Sequence, residues 1–212
     1  MDTSCNRRPL SSAVALALIL LFSLYILQTK GRQAAAAMDA SSGPAEPAPQ
    51  DDASGRVAFA AAYKVLMHPR CMNCHPRGDV PLQGDESRPH AQNIKRGSDG
   101  KGLYALKCAN CHQSTNLPGA HLPPGNPNWH LPPAKTRMVF EGKTPTELAR
   151  QLKDREQNGG KTLDQILRHV TEDKLVLWGW DPGEGRTTPP LSHVEFVGKM
   201  REWIEKGAPI PE

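Results

Sequence analysis

Apolar positions fall into three patterns along this chain. Residues 13–27, AVALALILLFSLYIL, are apolar almost without a break, preceded by Arg7 and Arg8 and followed by Lys30, Arg32 and the small-residue stretch QAAAAMDA. A basic start, an apolar run and an A-x-A pattern make a secretory signal, and the run is also close to the lower length limit of a membrane span. Residues 1–37 are therefore expected to be a signal peptide or an N-terminal membrane anchor, with cleavage near Ala37 and retention both open. Cys5 has no lipobox-like residues before it. Residues 38–55, rich in Ala, Pro, Ser and acids, bury too little apolar surface to order themselves and are expected to be a disordered linker. The folded domain then occupies 56–212.

The second pattern is helical. Ser54 can cap a helix through VAFAAAYKVLM, with Val57, Tyr63 and Leu66 among its apolar positions, and Pro69 stops it. GLYALKCANCH promises a shorter helix of the same kind. Three capping boxes follow: Thr144 with Pro145 and Glu147, Thr162 with Gln165, and Ser192 with Glu195. Each precedes apolar residues at helical spacing: Leu148 and Leu152; Ile166, Leu167 and Val170; Phe196, Met200, Trp203 and Ile204. Gly207 and Pro209 end the last helix. No convincing alternating strand appears. The third pattern is the remainder, long Pro/Gly loops with little periodicity. The expected fold is mainly α.

Composition changes this picture in one respect. Hydrophobic content is 38% and aromatic content 5%, against 20 prolines and 18 glycines. That is little apolar material for a dry core, so part of the core is expected to come from something other than side chains. A net charge of +4, with a pI near 8.8, is mild. No basic cluster interleaved with aromatics points to nucleic acid.

The cysteines suggest what that other material is. Beyond Cys5, the remaining four fall in two copies of one pattern, CMNCH at 71–75 and CANCH at 108–112, leaving none for a disulfide. Two CxxC knuckles could hold zinc, but residues 75–107 separate them, wider than the usual gap, and zinc gives no reason for a histidine directly after both. A redox dithiol needs a strand-to-helix setting that is not visible here, and one motif would suffice. Haem attachment explains every position: two thiols take the two vinyl groups, and the adjacent histidine ligates the iron.

On these motifs the chain resembles the dihaem c-type cytochromes over about 55–212. The resemblance implies cytochrome c-like helices and loops wrapped around two covalently bound haem c groups. Cys71 and Cys74 would carry haem 1, with His75 as its iron ligand; Cys108 and Cys111 would carry haem 2, with His112. The macrocycles would supply the missing apolar bulk. The order CxxCH, histidine, CxxCH also resembles the small dihaem subunit of periplasmic nitrate reductases, in layout only, since about a hundred residues follow the second motif here. HPRCMNCHP, together with WGW and a late GAP, is similar to chains labelled as subunits of isoquinoline 1-oxidoreductase-type molybdenum hydroxylases. That likeness implies a dehydrogenase donor and a respiratory acceptor as partners.

The second axial position of each iron decides between electron transfer and reaction with small ligands. His68, His90, His121, His130, His169, His193, Met138 and Met200 are available. His90, between the motifs, is expected over haem 1. Met138, after the proline-rich stretch GAHLPPGNPNWHLPPAKTRM, is expected over haem 2 by similarity to mono-haem cytochromes c, with His121 and His130 competing. His169 lies late in an expected helix and could face a haem. WGWDPGEGR at 178–186 could pack a haem edge, with Arg186 pairing a propionate. The functional expectation is an exported, periplasmic or membrane-tethered electron carrier. A small dihaem peroxidase-like enzyme and a zinc-binding module are the alternatives.

Overall fold

The computed structural model describes residues 52–212; the expected signal or anchor, and the linker up to residue 51, lie outside them. Helices predominate: α1 (Asp52–Leu66), α2 (Pro69–Met72), α3 (Pro145–Lys153), α4 (Leu163–Glu172), α5 (Lys174–Leu177) and α6 (His193–Glu205). Between α2 and α3 lie two minimal antiparallel hairpins, β1 (Leu82–Gln83) with β2 (Arg88–Pro89) and β3 (Gly102–Leu103) with β4 (Leu106–Lys107). No described helix is long and apolar enough to cross a membrane.

The core is built by α1 and α6. Gly55, Ala58, Phe59, Ala62, Val65 and Leu66 form one buried stripe at helical spacing on α1. Phe196, Val197, Met200 and Trp203 answer it from α6. The small residues on α1 let the helices approach, and Phe59 meets the Trp203 ring at 4.7 Å between centroids. Leu148, Ala149 and Leu152 of α3 and Ile166 and Val170 of α4 complete the cluster. The chain end locks onto it: Trp203 Nε1 donates to the Pro209 carbonyl at 3.0 Å and Lys153 Nζ to that of Ala208 at 2.7 Å. Trp203→Ala should cost about 3–5 kcal/mol, because it removes a fully buried ring and the tie to Pro209 together; thermal unfolding measures it.

All three capping boxes form. The side chains of Thr144, Thr162 and Ser192 each accept from the backbone three residues on, and Glu147, Gln165 and Glu195 return the bond. Two other expectations fail. Helix α1 starts at Asp52, so Ser54 lies within its first turn, residues 52–55 belong to the domain rather than the linker, and Val57 points outward at 69% exposure. Gly55 decides this: a side chain there would strike Pro209, so this turn must pack on the chain end. The approach to the second motif is hairpin β3–β4 and a single 3-10 turn, Cys108–Asn110, not a helix. Gly102 has φ +94°, and a Cβ on it would lie 2.3 Å from the Leu106 carbonyl oxygen. A left-handed residue so placed cannot continue a right-handed helix.

Candidate functional site: two matched histidine cradles

The first motif leaves α1 through His68, whose ring Nδ1 accepts from the Arg70 N–H and caps α2. Pro69 opens that turn, which presents Cys71 and Cys74 and delivers His75, whose N–H donates to the Met72 carbonyl at 2.9 Å. His75 Nδ1 lies 2.6 Å from the Met138 carbonyl oxygen. A carbonyl only accepts, so Nδ1 carries the hydrogen and Nε2 keeps its lone pair. The ring stacks on Phe140 at 3.9 Å and 10°. The Phe140 N–H donates back to the His75 carbonyl at 2.9 Å, tying the two segments twice. Burial pushes His75 down to about 4, against the opposing pull of the Met138 carbonyl, so the ring is neutral at pH 7.

The second motif repeats this arrangement by other means. The His112 N–H donates to the Cys108 carbonyl at 3.0 Å, and its Nδ1 donates to the Pro124 carbonyl at 2.7 Å. Its ring stacks on Trp129 at 4.3 Å and 9°, and Trp129 meets Trp178 edge-on. Burial lowers the pKa of His112 as well. Gly125, next to Pro124, passes against the Thr115 backbone; a Cβ there would lie 1.9 Å from the Thr115 oxygen, so only glycine lets this loop close.

Each motif faces a cavity. The first, about 200 Å³, is lined by Cys71, Cys74 and His75 together with the core residues Leu66, Phe140, Leu152, Ile166, Phe196 and Met200. The second, about 670 Å³, holds Cys108, Cys111 and His112 among loop residues of 81–94 and 121–131. Arg70, Cys74 and His130 line both. Among the described residues, no three His, Cys, Asp or Glu side chains gather as one metal ion would need. The thiols are free. Burial pushes Cys71 up to about 12 and Cys74 up to about 11, and raises Cys108 too, the reverse of a reactive dithiol.

The remaining candidates separate clearly. His90, expected over the first motif, lines the second cavity, its ring centre 6.3 Å from that of His112. Met138, expected over the second motif, stands at the first: its carbonyl serves His75, and its sulfur lies 3.9 Å from Gln151 Nε2. The chain from Pro132 onward crosses back to α3, which carries Met138 away from the second motif. His68 has its nitrogens directed at the Arg70 N–H and Thr187 Oγ1. His193 Nε2 donates to the Val170 carbonyl, and its ring meets Trp180 edge-on. His121 lines the second cavity, with its ring against Gly185. His169 lines the first cavity and Met200 is fully buried beside it. Trp178 lines the second cavity, whereas Trp180 packs on Phe196. Arg186 lines the second cavity and donates to the carbonyls of Leu122 and Pro182.

Several functional residues carried no motif. Phe140, Trp129 and Pro124 act only through contacts distant in sequence from the histidines they hold. Arg70 stood inside HPRCMNCHP, yet nothing local shows that it is buried, paired with Asp85 and shared by both cavities.

Comparison with protein-family models, curated proteins and solved structures finds no match, so the functional reading rests on the chain's own residues.

Proposed function

We propose that this chain is a dihaem c-type cytochrome that carries electrons between an exported or membrane-bound dehydrogenase and a respiratory acceptor. One observation carries the reading. Both CxxCH histidines donate Nδ1–H to a backbone carbonyl, stack on an aromatic ring and leave Nε2 unprotonated, and each lines a cavity together with its own cysteines. Metal-bound histidines are oriented in this way, with the second nitrogen fixing tautomer and ring plane.

The residues fit haem. Cys71 and Cys74 in one cradle, and Cys108 and Cys111 in the other, would hold the haem through thioethers, each S–H adding across a vinyl group so that nothing is lost. Bound this way, each haem supplies a one-electron iron couple. The protein's part is to hold and shield. Phe140 and Trp129 fix the imidazole planes, apolar residues of the α1–α6 core form part of the first cavity's wall, and Arg70, Cys74 and His130 are common to both cavities, the adjacency a relay needs. The apolar run at 13–27 supports export, or a tether to the inner membrane with the domain in the periplasm.

The test is expression with an export signal and haem c maturation machinery, followed by a pyridine haemochrome assay. Two haems per chain are expected, with covalent attachment surviving denaturation. A colourless protein, or rapid peroxide turnover with an electron donor, would replace this reading with the zinc module or the peroxidase.

A further inference from the structure

Resting on that reading, we propose that both irons are bis-histidine centres, with His90 opposite His112 and His169, oriented by Asp173, opposite His75.

The His90 pairing is geometric. A metal–nitrogen bond of about 2 Å, plus the half-width of the ring, puts two imidazoles on either side of one ion with centres about 6 Å apart. The His90 and His112 rings are 6.3 Å apart, tilted by 55°, and both line the second cavity. His90 is otherwise unexplained. Its Nδ1 is buried without a hydrogen-bond partner, a cost that bonding through this nitrogen would remove. Its backbone is fixed on both sides, by the Pro81 carbonyl and by the Asn93 N–H, so the ring is held in place before any ligand arrives.

The His169 pairing rests on its partner. Nδ1 of His169 lies 3.2 Å from Asp173 Oδ2, one turn on and at the end of α4. A carboxylate on one ring nitrogen fixes the tautomer and leaves Nε2 as the donor atom, the same device that the Met138 carbonyl provides for His75. Ile166 and Val170 place this face of α4 on the first cavity, which His75 also lines. Most other candidates are spent or poorly placed. Met138 is tied to the Nδ1 side of His75 through its carbonyl and its sulfur lies against Gln151, His193 and His68 are bonded elsewhere, and Met200, though it lines the first cavity, is fully buried among core side chains. His130, with its Nδ1 on the Asn128 carbonyl and its Nε2 unengaged, lines both cavities and is the competitor that His130→Ala tests.

The experiment is electron paramagnetic resonance and resonance Raman spectroscopy on the holoprotein, with haem content counted separately. Two haems per chain, both low-spin, with no methionine–iron charge-transfer band, is the expected result. His90→Ala and His169→Ala should each convert half of the iron to high-spin, while His130→Ala and His121→Ala leave both centres low-spin. His169→Met, which keeps a ligand and the fold, should remain low-spin, gain the methionine band and raise one of the two potentials. Asp173→Asn should shift that same potential upward and leave the other alone, a change that a merely structural aspartate would not make. A protein without haem would sink the cytochrome reading itself. Two haems with His169→Ala still low-spin, or conversion by His130→Ala or His121→Ala instead, would overturn the axial assignment while leaving that reading intact.

Discussion

Cys71→Ala/Cys74→Ala protein should, on the proposed dihaem reading, lose one haem and unfold about 10–20 °C below the parent. The first cavity is part of the main core, walled by Leu66, Phe140, Leu152, Ile166, Phe196 and Met200. Leaving the apolar side chains of that wall without their covering group costs on the order of 5 kcal/mol. For a domain of this size each kcal/mol moves the midpoint by roughly 2–4 °C. Cys108→Ala/Cys111→Ala should behave differently. The second cavity is larger, at 670 Å³, and is enclosed by loops rather than helices. Loops that lose the group they wrap have few packing contacts of their own to hold them, so they would open while the helical core stands. Hydrogen exchange should show fast amides over residues 77–131, with the far-ultraviolet helical signal retained and a smaller midpoint shift. Equal losses from the two pairs would refute this division between a proposed core haem and a proposed loop haem.

Arg96→Ala should be as damaging as truncating the central core tryptophan, at about 3–5 kcal/mol. The Arg96 side chain is 1% exposed. Its Nη1 donates to the Pro132 carbonyl at 2.6 Å, and its Nη2 to those of Gly78 at 3.1 Å and Pro76 at 3.5 Å. One guanidinium thus joins the chain leaving His75 to the chain leading to Met138, which holds the same histidine from its other side. Asp79 offers partial charge compensation at 4.0 Å. Removing the cation strands buried carbonyls, the expensive kind of loss. Arg96→Lys should recover less than half of the loss, because an ammonium cannot reach both segments from one planar fork. Urea unfolding of the three holoproteins checks the order, which fails if Lys matches Arg.

What could be read from sequence is what is local. The capping boxes at Thr144, Thr162 and Ser192 link residues three apart, so no distant partner can alter them. The CxxCH spacing is likewise a property of a single turn. The approach through GLYALK was misread because its apolar residues suit a helix while Gly102 needs a left-handed backbone that only its neighbour Leu106 reveals. Position between the motifs points His90 to the first of them, and likeness to mono-haem cytochromes c points Met138 to the second, but neither guide senses which way a loop turns. A loop's direction depends on ties such as Arg96 to Pro132, formed across 36 residues.

By itself, then, the sequence determined the helical segments, their ends, and two places where thiol pairs and histidines could anchor a cofactor, since all of these follow from short-range geometry and residue chemistry. Only the tertiary structure decided that the two histidines share one mode of orientation, that one cavity lies in the core and the other among loops, and that His90 faces His112. Those relations are set by burial and by hydrogen bonds between segments far apart in the chain, and no local pattern encodes them.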